Sequence, residues 1–127
     1  MTRSPISEDV VKRFATKEPT LCAVCHRHAV WLGYHAGKRT PIVWLCDDDD
    51  CHAAAKHVYA MTKQILDDYE IGAALEAGRG AGAFLEELGT TDLSKLTPAQ
   101  WREFLRRIVV GYEHTLRDKI LNHEPPF

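Results

Sequence analysis

Long apolar runs, an apolar leader and internal repeats are all missing from this chain of 127 residues. No stretch approaches the roughly 20 apolar residues that a bilayer-spanning helix needs. The first residues, Met1–Asp9, contain no apolar signal region. We therefore expect a soluble cytoplasmic protein without membrane contact, whose cysteines stay reduced. The length predicts one domain with a modest core.

Patterns that carry catalysis are also scarce. No arrangement of Ser, His and Asp or of Cys and His indicates a nucleophile. The glycine-rich stretch Gly78–Gly82 lacks the Lys-Ser/Thr pair that completes a nucleotide-binding loop, and no strand is predicted before it. We therefore interpret this stretch as a helix break and expect no enzymatic activity.

All four cysteines fall into one pattern, Cys22-x2-Cys25 followed by Cys46-x4-Cys51. Two close pairs at this separation are typical of a zinc site, because their thiolates can complete a tetrahedron. The alternative, two disulfides, requires export from the cell, and no export signal is seen. The sequence predicts Zn(II) bound by Cys22, Cys25, Cys46 and Cys51.

The x4 spacing of the second pair departs from the usual x2 and leaves the ligand set open. His52 is an alternative to Cys51, and His26 stands directly beside Cys25. Four thiolates would close the site, whereas a catalytic zinc keeps an open position for water. We therefore expect a structural metal coupled to folding.

Two runs rich in aromatic and β-branched residues, Ala29–Tyr34 and Ile42–Leu45, predict an antiparallel hairpin. A turn centred on Gly37 and Lys38 fixes the register, because two residues that pair across the strands are equally far from that centre in sequence. That turn predicts the pairs Trp31 with Trp44 and Leu32 with Val43.

The spacing of apolar residues predicts that most of the remaining chain is helical. The fold class is α+β, mainly α: a zinc-bound β-hairpin packed with a long helix and a C-terminal amphipathic helix. We predict a single domain over 1–127, with an N-terminal helix in 1–20, the zinc-binding hairpin and helix in 21–77, and a helical part in 83–127. The helix after Cys51 is expected to reach the mid-seventies, and a short helix to end at Gly89.

The last helix has the strongest signals. Thr97-Pro98-Ala99-Gln100 is a capping box with proline at the first helical position. Its apolar residues recur in steps of three and four along one stripe, which predicts either a core face or a dimer seam: Trp101, Leu105, Ile108, Tyr112, Leu116 and Ile120.

Charge is distributed unevenly along the chain. The formal net charge is -2, but residues 1–45 carry +4, residues 46–100 carry −7 and residues 101–127 carry +1. The acidic middle begins at Asp47–Asp50. This run either caps a helix through Asp49 or Asp50, or meets a basic partner, or binds a hard cation, although it lacks the spacing of a calcium-binding loop. Candidate contacts for a partner or nucleic acid are Arg27, Lys38, Arg39, Asp47, Asp48, Asp49, Arg102 and Arg106.

The order of cysteine turn, hairpin, cysteine pair and helix resembles a treble-clef zinc finger over residues 21–60. This resemblance implies that the second pair lies at the start of a helix. Treble-clef variants include the ββα-metal nucleases, in which hairpin and helix histidines bind a catalytic metal, and His35, His52 or His57 would be recruited here. Their general-base histidine and supporting asparagine have no convincing match, since Asn122 is the only asparagine.

At family level the chain resembles small uncharacterised bacteriophage and prophage proteins. The resemblance rests on Leu21-Cys-Ala-Val-Cys-His, Val43-Trp-Leu-Cys46, Cys51-His-Ala-Ala and Asp92-Leu-x-x-Leu-Thr-x-x-x-Trp101-Arg-Glu-Phe. It implies an accessory role, either in nucleic-acid regulation or in interference with a host machine. We favour a non-enzymatic module that binds a host or phage protein, for instance a host nucleic-acid machine. The alternative is a nucleic-acid-binding regulator that uses the basic hairpin.

Overall fold

The computed structural model describes Val10, Phe14 and residues 20–30, 32–37 and 40–123. In this part of the chain, one two-stranded antiparallel sheet is followed by three helices, so the predicted fold class is confirmed. None of these helices combines the length and the apolar character that crossing a bilayer requires. The elements are β1 Leu32–Tyr34, β2 Val43–Leu45, α1 Asp49–Val58, α2 Lys63–Leu88, a 3-10 turn Leu93–Lys95, and α3 Pro98–Leu121.

The N-terminal helix predicted in 1–20 is described at two positions. Val10 and Phe14 are helical and each is only 2% exposed. Their spacing of four places both side chains on one face, and both join the buried cluster around the cysteines. The rest of that predicted helix, and the tail after His123, lie outside the described residues.

The hairpin forms as predicted, but its register is shifted by two residues. The predicted pairing of Leu32 with Val43 is wrong, and Trp44 lies opposite Gly33 instead of Trp31. A shift of two keeps every side chain on its expected face of the sheet, because successive residues of a strand alternate. The observed pairs are Leu32 with Leu45, Gly33 with Trp44 and Tyr34 with Val43.

Thr40 explains the shift. Its N–H donates to the Gly37 carbonyl at 3.1 Å, its hydroxyl donates to the same carbonyl at 2.8 Å, and the Gly37 N–H donates to Thr40 Oγ1 at 3.0 Å. These three bonds close the turn from Gly37 to Thr40, so its centre lies one residue later than predicted. Moving the centre by one residue moves every cross-strand pair by two.

The long helix predicted after Cys51 is divided at residues 59–62. Tyr59 ends α1, is 4% exposed, and donates its hydroxyl to the carbonyls of Tyr34 and Pro41. Burial raises the pKa of Tyr59 to about 12, so the hydroxyl keeps the proton that it donates. Thr62 then caps α2, since its side chain accepts from the Ile65 N–H at 3.2 Å. The break therefore serves to anchor the hairpin to the helices.

The predicted break at Gly78–Gly82 is wrong, because α2 runs through it without interruption. Ala77, Ala81 and Phe84 are buried on the side of α2 that packs against α3. This packing overrides the low helix propensity of glycine. The helix ends where expected, at Gly89, whose φ of 73° is the left-handed conformation typical of a helix end.

The capping box of α3 is confirmed, with both reciprocal hydrogen bonds between Thr97 and Gln100 present. The apolar stripe that follows is buried only in its C-terminal half. Leu116 and Ile120 are fully buried, whereas Trp101 is 44% and Leu105 is 41% exposed. The stripe therefore serves as core only where the cysteine-containing part of the chain covers it.

Three aromatic rings meet where α1, α2 and the end of α3 come together. The Tyr69 hydroxyl lies 2.7 Å from His123 Nδ1, and the ring of His57 meets the ring of His123 edge-on at 6.1 Å. His57 Nδ1 and His123 Nε2 are buried without a hydrogen-bond partner among the described residues. Burial lowers the pKa of both histidines, and the charge of Lys56 lowers that of His57 further.

This cluster predicts a loss of stability in mild acid. The unfolded chain takes up a proton on each histidine near pH ~6.5, while the folded chain does so only at lower pH. Stability is therefore complete above pH ~6.5 and falls as the pH drops towards the folded pKa values, by at most about 1.4 kcal/mol per pH unit for each histidine. Urea unfolding between about pH 7.5 and pH 5.5 measures this slope.

His123→Gln removes one titrating ring and keeps an acceptor for the Tyr69 hydroxyl. We expect its slope to be shallower than that of the unmodified protein. His114→Gln is the matched control, since His114 is exposed on α3, the helix that precedes His123. Equal slopes for all three proteins would contradict the assignment and leave acid release of a metal as the source of the pH dependence.

Candidate metal centre

The first cysteine pair lies on a tight turn before β1. The Cys22 N–H donates to the Arg27 carbonyl at 2.6 Å, and the His26 N–H donates to the Cys22 carbonyl at 3.0 Å. His26 has a φ of 67°, the one left-handed non-glycine residue in the described part of the chain. That conformation costs a side-chain-bearing residue roughly 1–2 kcal/mol, so the turn is held by its surroundings.

The second pair joins the end of β2 to the first turn of α1. Cys46 directly follows β2, and Cys51 is the third residue of α1. Asp48 is the N-cap of α1, because its carboxylate accepts from the Asp50 N–H at 2.8 Å. The x4 spacing therefore has a structural cause: the residues between the two cysteines make the cap and first positions of the helix.

The sequence predicted a cap from this acidic run, at Asp49 or Asp50; the cap is Asp48. Asp49 and Asp50 occupy the first helical turn, where their charge is favourable near the positive end of the helix dipole. Asp47 is exposed and precedes the cap. Part of the acidic run is thus explained by the helix start alone.

The two pairs come together in one buried cluster of sulfur atoms. All four Sγ atoms lie within 4.8 Å of one another, and Cys25 Sγ lies 3.7 Å from Cys46 Sγ. A zinc tetrahedron with Zn–S bonds of about 2.3 Å has sulfur–sulfur edges of about 3.8 Å, so the spacing fits a bound ion. The cysteines are free thiols, each at most 1% exposed. These four residues could hold a metal ion.

Such close thiols compete for their protons. Hydrogen bonds from the thiols of Cys25 and Cys51 lower the pKa of Cys22, and the same interaction raises the pKa of Cys25 to about 12. The cluster therefore favours at least one thiolate. A divalent cation at its centre would favour the thiolate form of all four, because metal binding displaces the thiol protons.

The histidines considered as ligands point elsewhere. His52 Nε2 lies 2.8 Å from the Cys46 carbonyl, and His26 Nδ1 lies 3.5 Å from the Tyr112 hydroxyl. Neither belongs to the sulfur cluster, which is the one group of three or more metal-ligating side chains found among the described residues. Both histidines instead support the backbone and packing around the cysteines.

The histidines of the nuclease alternative are likewise not gathered around one point. His35 Nδ1 lies 3.0 Å from the Gly37 carbonyl within the turn of the hairpin, and His57 packs against His123. His52 is held at the Cys46 carbonyl.

Arg117 is the residue of this site that sequence reasoning missed. It reaches the cluster from α3, donating from Nε to Cys51 Sγ at 3.0 Å, and its Nη1 lies 3.5 Å from Asp48 Oδ2. The residue is 5% exposed. Burial alone would lower the pKa of Arg117, but the hydrogen bond to Cys51 and the charge of that thiolate raise it. Arg117 is therefore a buried cation fixed beside the sulfurs.

This cation fits the charge of a metal-loaded cluster. Four thiolates around a divalent ion carry a net charge of about −2, which is costly to bury without compensation. Arg117 and the N-terminus of α1 both offer positive charge at Cys51. Arg117 Nη2 is buried and has no hydrogen-bond partner in the described part of the structure, so burial of this guanidinium is only partly offset by its contacts with Cys51 and Asp48.

Two of the five predicted basic contacts, Arg27 and Arg106, form ion pairs within the chain. Arg27 Nε lies 3.6 Å from Glu113, and Glu103 accepts from both Arg106 and Arg107. Those two bonds lower the pKa of Glu103 to about 2. Arg102 is exposed and makes no ion pair with any residue that the structure describes. Lys38 and Arg39 lie outside the described residues.

The family comparison concerns the helical half of the chain. A family of unknown function, DUF6511, matches residues 65–127, which begin within α2 and include all of α3. The match includes Arg117 but none of the four cysteines. No curated protein and no solved structure matches the chain. The similarity assigns no activity, and both the treble-clef type and the phage resemblance stay predictions.

Proposed function

We propose that this chain is a zinc-stabilised, non-enzymatic protein-binding module. The observation that carries the proposal is the closed cluster of four buried sulfurs. A tetrahedral ion bound by four thiolates has no open position for water or substrate, so the metal would stabilise the fold rather than react. The order of cysteine turn, hairpin and helix supports a treble-clef-like arrangement around it.

Charge favours a protein partner over nucleic acid. Arg27, Arg106 and Arg107 already face carboxylates of the chain, whereas Asp47, Asp49 and Asp50 are exposed beside the metal centre. We propose that these three aspartates dock on a basic protein surface. The resemblance to small phage proteins adds a partner class, a host enzyme that handles nucleic acid through a basic groove. The nucleic-acid alternative rests on Lys38 and Arg39.

Capture from a bacterial lysate treated with nuclease tests this proposal. Asp47→Asn combined with Asp49→Asn should reduce capture of the partner at least about tenfold, because charge complementarity is lost while Asp48 still caps α1. Partners are identified by mass spectrometry, and the strongest is purified and titrated directly. Zinc content is measured in each variant to show that the metal centre is intact.

The matched control changes the same amount of charge elsewhere. Glu86→Gln combined with Glu87→Gln removes two exposed carboxylates from α2, which make no ion pair among the described residues. We expect this control to capture normally. Unchanged capture by the Asp47/Asp49 variant would rule out the acidic surface, and loss of all capture after nuclease treatment would favour the nucleic-acid alternative.

A further inference from the structure

The cysteine-containing part of the chain is too short to cover α3. This helix has 24 residues and is about 36 Å long, whereas α1 has 10 residues and is about 15 Å long. Only the C-terminal half of the α3 stripe is buried, at Leu116 and Ile120. Towards the N-terminus of α3 the same stripe is only partly covered by the described part of the chain, and three of its apolar residues are about half exposed.

We define the open row as Trp101, Leu105 and Val109, which are 44%, 41% and 54% exposed. Their spacing of four residues places them on one face, in line with the buried half of the stripe. The ring of Trp101 stacks on Phe104, with centroids 5.8 Å apart, so the row has an ordered aromatic end. An apolar row that runs on from a packed interface is typical of a surface that a partner completes.

A cavity lies next to the point on α3 where the fully buried part of the stripe ends. It has a volume of about 280 Å³, and it lies between the cysteine turn, α2 and α3. That volume is near the lower end of the roughly 300–1,000 Å³ of small-molecule sites, so it suits one or two anchor side chains. Its lining combines Cys25, His26, Ala74, Ile108, Val109 and Tyr112 with one carboxylate, that of Glu113, which lies 3.6 Å from Arg27 Nε. Val109 belongs to both the cavity and the open row.

The charge beside the row selects the partner. Residues 101–110 contain three arginines and one glutamate, and that Glu103 is shared by Arg106 and Arg107. Arg102 is exposed and forms no ion pair with the described residues, so the uncompensated positive charge of this flank lies at Arg102. A basic flank next to an apolar row fits a helix that is apolar on one face and acidic on its edges.

We propose that the open row and its cavity bind an acidic amphipathic helix of a protein partner. The helix would lie along the N-terminal half of α3 and insert its leading apolar side chain beside Val109. Its carboxylates would face Arg102. This inference deepens the proposed protein-binding role, on which it rests, and it uses a surface distinct from Asp47–Asp50.

Two synthetic helices test the proposal against zinc-loaded protein. Both have leucines at positions i, i+4 and i+7; one carries glutamates on its edges and the other carries lysines. Fluorescence anisotropy of labelled peptide should show the glutamate helix binding at least about tenfold more tightly, because it faces the basic flank. Leu105→Asn should weaken binding about tenfold, and Arg102→Glu should abolish the preference.

Leu75→Asn is the matched control. Leu75 is 61% exposed on α2 and does not line the cavity, so binding should be unchanged. Absence of binding, or equal affinity for the two helices, would overturn the proposal. A dimer in sedimentation that Leu105→Asn dissociates would also overturn it, because the occupant would then be a second copy. Asp47→Asn with Asp49→Asn leaves this assay unchanged, so the two proposals can fail separately.

Discussion

Cys25→Ser is expected to abolish stoichiometric metal binding and to unfold the part of the chain around the cysteines. Cys25 lies in the buried cluster, 3.7 Å from Cys46, and serine is a poor ligand for zinc. Structural zinc contributes on the order of 10 kcal/mol to folding, which is comparable to the whole stability of a small domain. The unmodified protein should purify with about one zinc per chain. Metal analysis and thermal unfolding with and without a chelator measure both effects.

His52→Ala is the control for this substitution. His52 is close in sequence to Cys51 and was an alternative ligand, but its ring is held at the Cys46 carbonyl. We expect the His52 variant to keep its full zinc content with a loss of about 1 kcal/mol, as for one hydrogen bond. If the His52 variant lost its metal and the Cys25 variant kept it, the ligand set would have to include the histidine.

The cluster of four cysteines could be predicted from the sequence because each pair of cysteines lies within one short segment. The short spacing within each pair restricts the backbone between the two cysteines. Two such pairs in one chain are typical of a metal site. Arg117 could not be found in this way, since it reaches Cys51 from another helix. In the sequence it stands between Leu116 and Asp118 and resembles any polar residue at the edge of a stripe.

Helix boundaries show where local propensity is overridden. Glycine disfavours helix by about 1 kcal/mol per residue, which predicted the break at Gly78–Gly82. Burial of Ala77, Ala81 and Phe84 between α2 and α3 outweighs that cost. The true break at residues 59–62 depends on Tyr59 reaching the hairpin, a contact between segments far apart in the sequence.

Periodicity identifies the apolar face of a helix but not how far that face is covered. The α3 stripe reads as one continuous core from Trp101 to Ile120, yet only its second half contains fully buried residues. Coverage depends on the length of α1 and on where the cysteine turn lies, and both follow from tertiary packing. The predicted hairpin register was wrong for a related reason, since the hydrogen bonds between Thr40 and Gly37 place the centre of the turn one residue later than expected.

Arg117→Leu is expected to lower the free energy of unfolding of the zinc-loaded protein by about 3 to 5 kcal/mol, the usual cost of leaving a buried charge without its partner. Leucine removes the hydrogen bond to Cys51 and the cation beside Asp48, so the thiolates lose the positively charged side chain beside them. Zinc should pass to a competing chelator faster, because Cys51 is then less stabilised as a thiolate. Urea unfolding and the rate of chelator transfer measure the two effects.

Two further variants separate charge from packing. Arg117→Lys keeps the positive charge on a shorter reach and should recover part of both losses. Arg102→Leu makes the same change at an exposed arginine of α3 that has no ion pair in the described part of the chain, and it should alter stability by no more than about 0.5 kcal/mol. If Arg117→Leu behaved like Arg102→Leu, the cation would be irrelevant to the cluster. If the Arg117→Leu and Arg117→Lys variants released zinc equally fast, Arg117 would stabilise the cluster by packing rather than by charge, because only lysine retains a cation there.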